Sequence, residues 1–437
     1  MKTDPSKDEL LAVDPLTETA DVATADAVVA KTPSHWSVLR NRNYALLFWG
    51  QLISATGTQM SVVAVSWQVY LLTHSAIALG LIGLIQAIPR LLFSLVGGVF
   101  ADVFDRRKML MIIEVTMACS SIVLAICTLT HVVNMTIIYL VVLVTASVSA
   151  FEFPTRQAII PALVPREQMA GAVSLATVMM QITFVIGPTL GGLAIAWVGV
   201  ANTYWVDVVS YAVVLLSLLF MIVPPIPVER RAQVGISAFT DGIAFLKAHP
   251  IILAVLSLDF FATFFGSPRA LLPVYASDIL HVGPQGLGVL VAAISIGAVA
   301  LAPFTGRLNR VARQGLGVVI AILVWGVCII VFGFSSGPLW LSAIFLAGAG
   351  AADMVSMVLR TLIVQLITPD EYRGRISAVN AMFVIGGPML GQFESGVVAG
   401  LSTPPILCHQ WWNRLYGCDI TSSLACTEAV TRQSAPR

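Results

Sequence analysis

The sequence predicts an all-α protein that crosses a membrane many times. Of its 437 residues, 57% are hydrophobic and only 11% are charged, whereas soluble domains carry about 25% charged residues. The apolar residues form runs of about 20 or more, which is the length that a helix needs to cross a bilayer. The charged residues concentrate in short connections between these runs. Together these observations indicate a polytopic helical protein whose surroundings are the lipid bilayer.

Composition also excludes several classes of function. A formal net charge of +1 gives no case for nucleic-acid binding. The chain has no nucleotide-binding loop, and its Ser, His, Asp and Cys residues form no recognisable catalytic or metal-ligand spacing. We therefore expect no catalytic residues, no metal and no cofactor, and we do not expect an enzyme.

The chain opens with a polar tail. Residues 1–40 carry several acidic side chains and no secretory signal, which favours a disordered, solvated segment. A sensing role for this tail is the alternative. Eleven apolar runs follow, and we predict that each is a spanning helix; in chain order they are 44–72, 78–100, 109–130, 134–155, 168–197, 203–224, 250–275, 284–305, 315–335, 338–362 and 376–401.

Basic residues mark one side of the membrane. With the N-terminus in the cytoplasm, the inner connections contain Arg106, Arg107, Lys108, Arg166, Arg230, Arg231, Lys247, Arg307, Arg310, Arg313, Arg373 and Arg375. The outer connections, near 73–77, 131–135, 198–203, 276–283 and 336–337, contain no Lys or Arg. Because basic loops stay on the cytoplasmic side, we expect a cell-membrane protein with a cytoplasmic N-terminus.

An internal repeat divides the chain into two halves. Arg156 lies nine residues before Pro165 of the segment 164–167, and Arg360 lies nine residues before Pro369 of the similar segment 368–371, at an offset of 204. Gly187-Pro188 recurs as Gly387-Pro388 at an offset of 200. Arg, Gly and Pro residues that recur at a nearly constant offset are typical of parallel transporter repeats. We therefore predict a six-helix half (41–224), a cytoplasmic linker (225–249) with an amphipathic helix near 237–247, and a five-helix half (250–401).

The segment 402–437 does not resemble the rest of the chain. It is polar and holds three of the six cysteines, at Cys408, Cys418 and Cys426. Trp has one codon, so in the reading frame one base away Trp411 and Trp412 become two glycines, and that frame can continue with small and apolar residues. We hypothesise a frameshift near residue 407 that replaced a twelfth span. A genuine C-terminal extension is the alternative, and a metal or disulfide site is a weaker one.

A charged segment between the second and third spans carries a recognisable motif. Gly98, Asp102, Arg106 and Arg107 resemble the Gly-x-x-x-Asp-Arg-x-Gly-Arg-Arg loop of the major facilitator superfamily, with Val103 in place of an Arg and Asp105 in place of a Gly. The resemblance implies two pseudo-symmetric helical halves, here with the twelfth span apparently missing. It also implies that Asp102 faces the positive end of span eleven and that this loop acts as a conformational latch. The alternative is that its basic residues only fix topology.

Two further motifs narrow the resemblance. Gly187, Pro188, Gly191 and Gly192 resemble the span-five motif of the superfamily's antiporters, for which close helix packing is the alternative explanation. The segments Phe153–Pro165 and Thr368–Arg375 resemble the drug and siderophore exporter branch that includes macrolide efflux and enterobactin export proteins. The superfamily's Arg early in span four has no counterpart here.

Ionisable residues inside spans are costly and usually functional. For substrate or proton binding the candidates are Arg90, Glu152, Asp259, Asp353 and Glu394, and for gating they are Arg156, Arg360, Arg373 and Arg375. A structural ion pair is the alternative for Arg90, and Glu152 is spaced to pair with Arg156. Two further side chains have other expected roles. Asp207 is expected to cap span six near the outer surface, and Gln51 is a candidate for lining an amphipathic cavity, with core or lipid-facing packing as the favoured alternative.

The resemblance implies a secondary active exporter of small amphipathic molecules, of the drug or siderophore class. It would work as a monomer by alternating access, and protons are the expected coupling ion. Two alternatives stay open: a non-transporting membrane receptor or scaffold derived from a transporter, and a lysophospholipid flippase.

Overall fold

A computed structural model describes residues 35–103, 105–223, 244–304, 313–369 and 372–401, with their side chains except at 35–36, 94–103, 373–375 and 377–378. Eleven long helical segments occur there, one at each predicted span. They are α1 (Arg42–Thr73), α2 (Ala76–Val103), α3 (Arg106–Leu129), α4 (Met135–Leu163), α5 (169–198), α6 (200–220), α7 (Pro250–Gly266), α8 (Gly283–Leu301), α9 (Gln314–Phe334), α10 (Leu339–Ile367) and α11 (Arg373–Leu401). The segment Met169–Phe220 divides into α5 and α6 at Gly199, whose φ of 86° turns the chain.

Two helix ends differ from the sequence prediction. α4 continues to Leu163, well past residue 155, because Pro154 and Pro161 are accommodated inside the helix. α7 ends at Gly266 and not at residue 275. Pro268 follows its end, and the chain then continues in short 3-10, α and π turns as far as Ile279.

The helices are those of a multi-pass membrane protein. Within the described residues, eight helical stretches are long and apolar enough to cross a membrane, and one of them, Arg166–Phe220, has 55 residues and contains both α5 and α6. α1 and α11 are not among the eight. α1 carries buried polar side chains such as Gln51 and Gln68, which lower its hydropathy although the helix packs within the bundle.

The bundle has two halves with matching internal contacts. In the first half α2 packs on α4 and α3 on α4, and in the second half α8 packs on α10 and α9 on α10. α1 packs on α5 and α6, as α7 packs on α11. The two halves meet through two related contacts, α2 with α11 and α5 with α8.

The hydrophobic core shows where the halves meet. We call the end of the bundle at which α1 begins the basic face, and the other end the opposite face. One buried apolar cluster joins both halves near the opposite face, with Trp67 and Leu124 from the first half and Leu287 and Phe332 from the second. Near the basic face the halves have separate clusters.

Polar contacts at the basic face fix where helices begin. Asn41 caps α1, and its Nδ2 also donates to the Leu163 carbonyl at 2.6 Å, so that the start of α1 is joined to the end of α4. His35–Arg40, assigned by sequence to the disordered tail, instead forms a 3-10 helix with Val38 buried.

The remaining parts of the predicted domain plan are only partly described. Of the amphipathic helix expected near 237–247, the described part is helical over 244–248, and the ring of Phe245 stacks on Tyr372 at 4.8 Å. Residues 1–34 and the segment 402–437 lie outside the described residues.

Candidate functional site

The predicted latch lies at the turn between α2 and α3. Gly98 and Asp102 belong to α2, but their surroundings lie outside the described side chains. Asp105 caps α3, accepting hydrogen bonds from the backbone N–H groups of Arg107 at 3.0 Å and Lys108 at 3.2 Å. Arg106 begins α3. The residue that differs from the superfamily motif at 105 is thus the one that starts the helix.

Arg107 of the same motif holds two helices together. Its Nε donates to the Leu218 carbonyl and its Nη2 to the Leu219 carbonyl, both at 2.8 Å. These carbonyls belong to the last turn of α6, where backbone acceptors have no partner within the helix. The Arg107 guanidinium donates to two of these carbonyls and so links α3 to α6.

The antiporter-like motif lies where three helices meet. A Cβ on Gly187 would lie 3.1 Å from the Thr56 carbonyl oxygen of α1, and one on Gly191 would lie 2.9 Å from Met60 Cα. A Cβ on Gly192 would lie 3.0 Å from Gly288 Cα of α8, in the other half. Pro188 lies in the same buried stretch of α5. The motif therefore brings α5 against α1 and across to α8.

The second copy of this motif, with Gly387, Pro388 and Gly391, makes equivalent packing contacts in the other half. A Cβ on Gly391 would lie 2.6 Å from the Phe264 carbonyl oxygen of α7. A Cβ on Gly80 of α2 would lie 2.9 Å from Gly396 Cα of α11. Glycine at these positions allows close helix approach, and the repeat recognised in the sequence corresponds to a repeated packing contact.

A charged network occupies the middle of the first half. Arg156 Nη1 donates to Gln51 Oε1 at 3.0 Å and lies 3.5 Å from Glu152 Oε1, so the predicted Glu152–Arg156 pair is present. Glu152 also interacts electrostatically with Arg90 of α2. Gln51 Nε2 donates in turn to Glu114 Oε1 at 2.8 Å. Gln51, for which the sequence left cavity lining and core packing open, is buried in this network and also lines a small cavity with Tyr44 and Phe48.

The second half contains the counterpart of this network. Arg360 of α10 forms an ion pair with Asp259 of α7, and both residues are about 4% exposed. Gln51 and Asp259 occupy the same position counted from the first residue of α1 and of α7. Each arginine of the repeat therefore contacts the equivalent position of the helix beside it, an amide in the first half and a carboxylate in the second.

A further pair of charges lies near mid-depth in the second half. Asp353 of α10 interacts electrostatically with Arg269, in the 3-10 turn after α7. Both residues are exposed. Sequence reasoning missed Arg269, although it lies within the predicted seventh span.

Asp207 is not the helix cap that the sequence suggested. It is 1% exposed and lies inside α6, where its Oδ2 accepts hydrogen bonds from Ser61 Oγ at 2.6 Å and Ser121 Oγ at 2.7 Å. These donors come from α1 and α3. The carboxylate therefore joins three helices in the interior.

The remaining candidates lie on α11. Glu394 is half-buried, and the neighbouring Ser395 Oγ donates to the Ser267 carbonyl at the end of α7 at 2.8 Å. Arg373 begins α11, and its side chain and that of Arg375 lie outside the described side chains. Across the bundle, the candidate side chains that the structure describes therefore form several separate charge clusters at different depths.

The chain is similar in fold to several solved structures of transporters. The chain matches the nucleoside transporter NupG with a TM-score of 0.64 at 16% identity, covering 90% of this chain and 99% of that one. It matches a bacterial homologue of the iron transporter ferroportin, in an inward-facing state, with a TM-score of 0.63 at 15% identity and coverages of 90% and 99%. It also matches a bacterial homologue of the human lysosomal transporter Spinster, inward-facing and unoccupied, with a TM-score of 0.61 at 16% identity and coverages of 90% and 93%. These matches show the fold.

The fold, with its paired contacts between halves, is the major facilitator fold of a multi-span membrane protein. Residues 33–407 match the transmembrane secretion effector family, so the chain belongs to this family of transporters and is not an enzyme. The chain is 29% identical over 362 residues to the enterobactin exporter EntS of Shigella boydii serotype 18 (strain CDC 3083-94 / BS512), covering 83% of this chain and 86% of that protein. It is 30% identical over 364 residues to EntS of Escherichia coli O81 (strain ED1a), with the same coverages. The resemblance found in the sequence is confirmed, and the protein is an exporter.

Proposed function

We propose that this chain is a monomeric secondary active exporter that moves small amphipathic molecules by alternating access of its two halves. The observation that carries the proposal is the shape of the core. One apolar cluster joins the halves near the opposite face, while separate clusters serve each half near the basic face. Halves that share a core at one end and not at the other are arranged for rocking about a site between them.

The orientation follows from the basic residues. If the basic face is cytoplasmic, as charge distribution favours, the structure is closed toward the outside, in the cell membrane. Arg107, Lys108 and Arg313 would then be reached by a membrane-impermeant reagent only from the cytoplasm. Cysteines introduced at Lys108 and Arg313 test this, and labelling of either one from outside intact cells contradicts it.

The charges between the halves support an anionic substrate group. Arg90 and Arg269 come from different halves, and each has an acidic neighbour that can exchange partners. A guanidinium recognises planar oxyanions through paired hydrogen bonds. The cargo named for EntS is enterobactin, and siderophores, or drugs with an anionic group, are the substrate class that we propose.

Coupling to protons requires charges whose pairing depends on conformation. The pairs Arg360–Asp259 and Arg269–Asp353 connect α10 with α7 and with the turn after it. We propose that these pairs break and re-form as the halves rock, and that a proton gradient drives the cycle.

The decisive experiment is transport by the purified full-length chain in liposomes with an imposed pH gradient. Labelled enterobactin should accumulate against its gradient, and the accumulation should collapse when a protonophore is added. Absence of any movement of enterobactin or of a panel of amphipathic drugs favours the receptor or scaffold. Movement of lysophospholipid alone identifies a flippase.

The segment 402–437 is a separate proposal. The family match ends at residue 407, next to Cys408, where the unusual composition begins. We propose that a frameshift at this point replaced a twelfth apolar helix. Sequencing the gene tests the proposal, and a stop-rich or charged alternative frame contradicts it.

A further inference from the structure

The first half contains a buried carboxylate that the export cycle described above does not use. Glu114 is 2% exposed and lies in the third turn of α3, about 12 Å from the start of that helix. Gln51 Nε2 donates to one of its oxygens at 2.8 Å, and Ser54 Oγ donates to the other at 3.1 Å. Both donors are neutral. An ionised carboxylate at such a position is costly, so a proton is a natural ligand for it.

The groups around Glu114 come from three neighbouring helices. α4 presents the charged Glu152 and Arg156, both within electrostatic range, and α6 presents the neutral Tyr211. α1 presents the neutral Gln51 and Ser54, which bond to Glu114. Arg156 bonds to Gln51 on one side and lies beside Glu152 on the other. The guanidinium therefore contacts Glu152 directly and is linked to Glu114 through Gln51.

The network has an exposed end and a small cavity beside it. The side chain of Glu152 is 27% exposed, against 12% for Arg156. On the side of the basic face, Tyr44, Phe48, Arg156 and Met179 line a small, mostly apolar cavity. Tyr44 and Phe48 lie in the first two turns of α1, so this cavity lies between the network and the basic face.

Comparison of the two halves shows how the surroundings of Glu114 differ from those of Asp259. In the second half the carboxylate of Asp259 lies directly on α7 and pairs with Arg360, so its charge is balanced by contact. In the first half Gln51 takes that place, and the carboxylate lies one helix away, bonded to neutral donors. The second half contains a carboxylate in direct contact with a guanidinium, and the first half contains a carboxylate whose charge can change without breaking an ion pair.

We propose that Glu114 is the group that binds the coupling proton. When the carrier is open to the opposite face, hydronium gives up a proton to the carboxylate: an O–H bond of hydronium breaks, an O–H bond of the carboxyl group forms, and water is left. When the carrier is open to the basic face, the carboxyl O–H bond breaks and a water molecule there takes the proton as hydronium. Protonation removes one of the two negative charges within electrostatic range of Arg156, so the guanidinium interacts more strongly with Glu152, and the change in charge is transmitted toward the interface between the halves.

This inference rests on the proposed proton-driven export, but its first test needs no substrate. Infrared difference spectra between acidic and alkaline pH are recorded for the purified full-length chain in lipid. A carbonyl band of a buried protonated carboxyl group should titrate in the unaltered protein, be lost in Glu114→Gln, and remain in Glu167→Gln, a control at an exposed glutamate. A folded Glu114→Gln protein with an unchanged spectrum overturns the proposal.

A second variant covers the case in which Glu114→Gln does not fold. Glu114→Asp keeps the carboxyl group but shifts it relative to Gln51 and Ser54, so the pH midpoint of the band should move. An unchanged midpoint overturns the proposal.

Transport measurements test the assignment of Glu114 independently of the infrared spectra. Glu114→Gln should lose uptake of labelled enterobactin driven by a pH gradient yet keep exchange of enterobactin across the membrane without a gradient. Retained gradient-driven uptake overturns the assignment of Glu114. If the unaltered protein moves no enterobactin, the proposed substrate fails, and the infrared result alone decides whether Glu114 binds a proton.

Discussion

Asp207 is a buried carboxylate whose role in this bundle is structural. Hydroxyl groups of Ser61, Ser121 and Ser210 donate to it, and it is 1% exposed. Asp207→Ala leaves the hydroxyls of Ser61 and Ser121 without this acceptor, whereas Ser210 keeps its bond to the backbone carbonyl of residue 207 at 2.7 Å. Each unsatisfied buried group costs about 1–3 kcal/mol. We expect a clearly lower midpoint of thermal unfolding in detergent, with Asp207→Asn less affected because it keeps an acceptor. Equal midpoints for Asp207→Ala and the unaltered protein would contradict this role.

The Asp259–Arg360 pair predicts a different pattern. Breaking a buried pair by removing one partner costs about 3–5 kcal/mol, because the other charge is left alone. Asp259→Asn should therefore destabilise the chain, and the double change Asp259→Asn with Arg360→Gln should recover much of the loss. Thermal unfolding of the four proteins forms a double-mutant cycle, and strictly additive losses would show that the two residues do not act as a pair.

Sequence alone identifies charged residues in apolar runs but not their partners. Arg90, Glu152, Asp259 and Asp353 stand out because a charge in a span is rare. Glu114 was missed because it lies two turns after the basic group at 106–108 and resembles a residue at a span boundary. Its donor Gln51 lies 63 residues away in the chain, and only the tertiary fold, in which α1 and α3 both pack on the segment Met169–Phe220, brings the two together.

The contact between α5 and α8 depends on glycine. A Cβ on Gly288 would lie 2.6 Å from the Pro188 carbonyl oxygen, whereas one on Gly386 of α11 would lie 3.5 Å from the side chain of Leu91. Gly288→Ala should therefore separate the halves near the opposite face, and Gly386→Ala should not. Spin labels at the exposed residues Val132 and Ser336 measure this separation, and equal distances in the two variants would contradict it.

At the scale of elements, the eleven helices were predictable because each apolar run has the length of a bilayer. Their ends were less predictable. Pro161 remains inside α4, where the sequence predicts that the span has already ended, while α7 stops at Gly266 before a proline. The π turn Tyr275–Ile279 has no signal in the sequence, because it forms where that segment packs on α8.

At the scale of the whole molecule, the segment 402–437 leads to a prediction about export. A twelfth helix would cover surfaces of the second half as α6 covers α1 and α3 in the first. We expect weak export from the chain as printed and stronger export when the reading frame near residue 407 is restored, measured as enterobactin efflux from cells without another exporter. Equal efflux from the two forms would contradict the frameshift proposal.

The division into related halves was also visible in the sequence, from the repeated arginine and Gly-Pro motifs. The face at which the halves meet was not, because it is set by which apolar surfaces share one core in this conformation. Rocking of the halves about that core is the central claim.

Two distances measured in the same protein test this claim most directly. One joins Val132 to Ser336 near the opposite face, and the other joins Glu167 to Arg313 near the basic face; all four residues are exposed. As pH and enterobactin concentration are varied, spin-label distances should change in opposite directions, with one lengthening as the other shortens. Two distances that stay constant, or that lengthen together, would contradict alternating access.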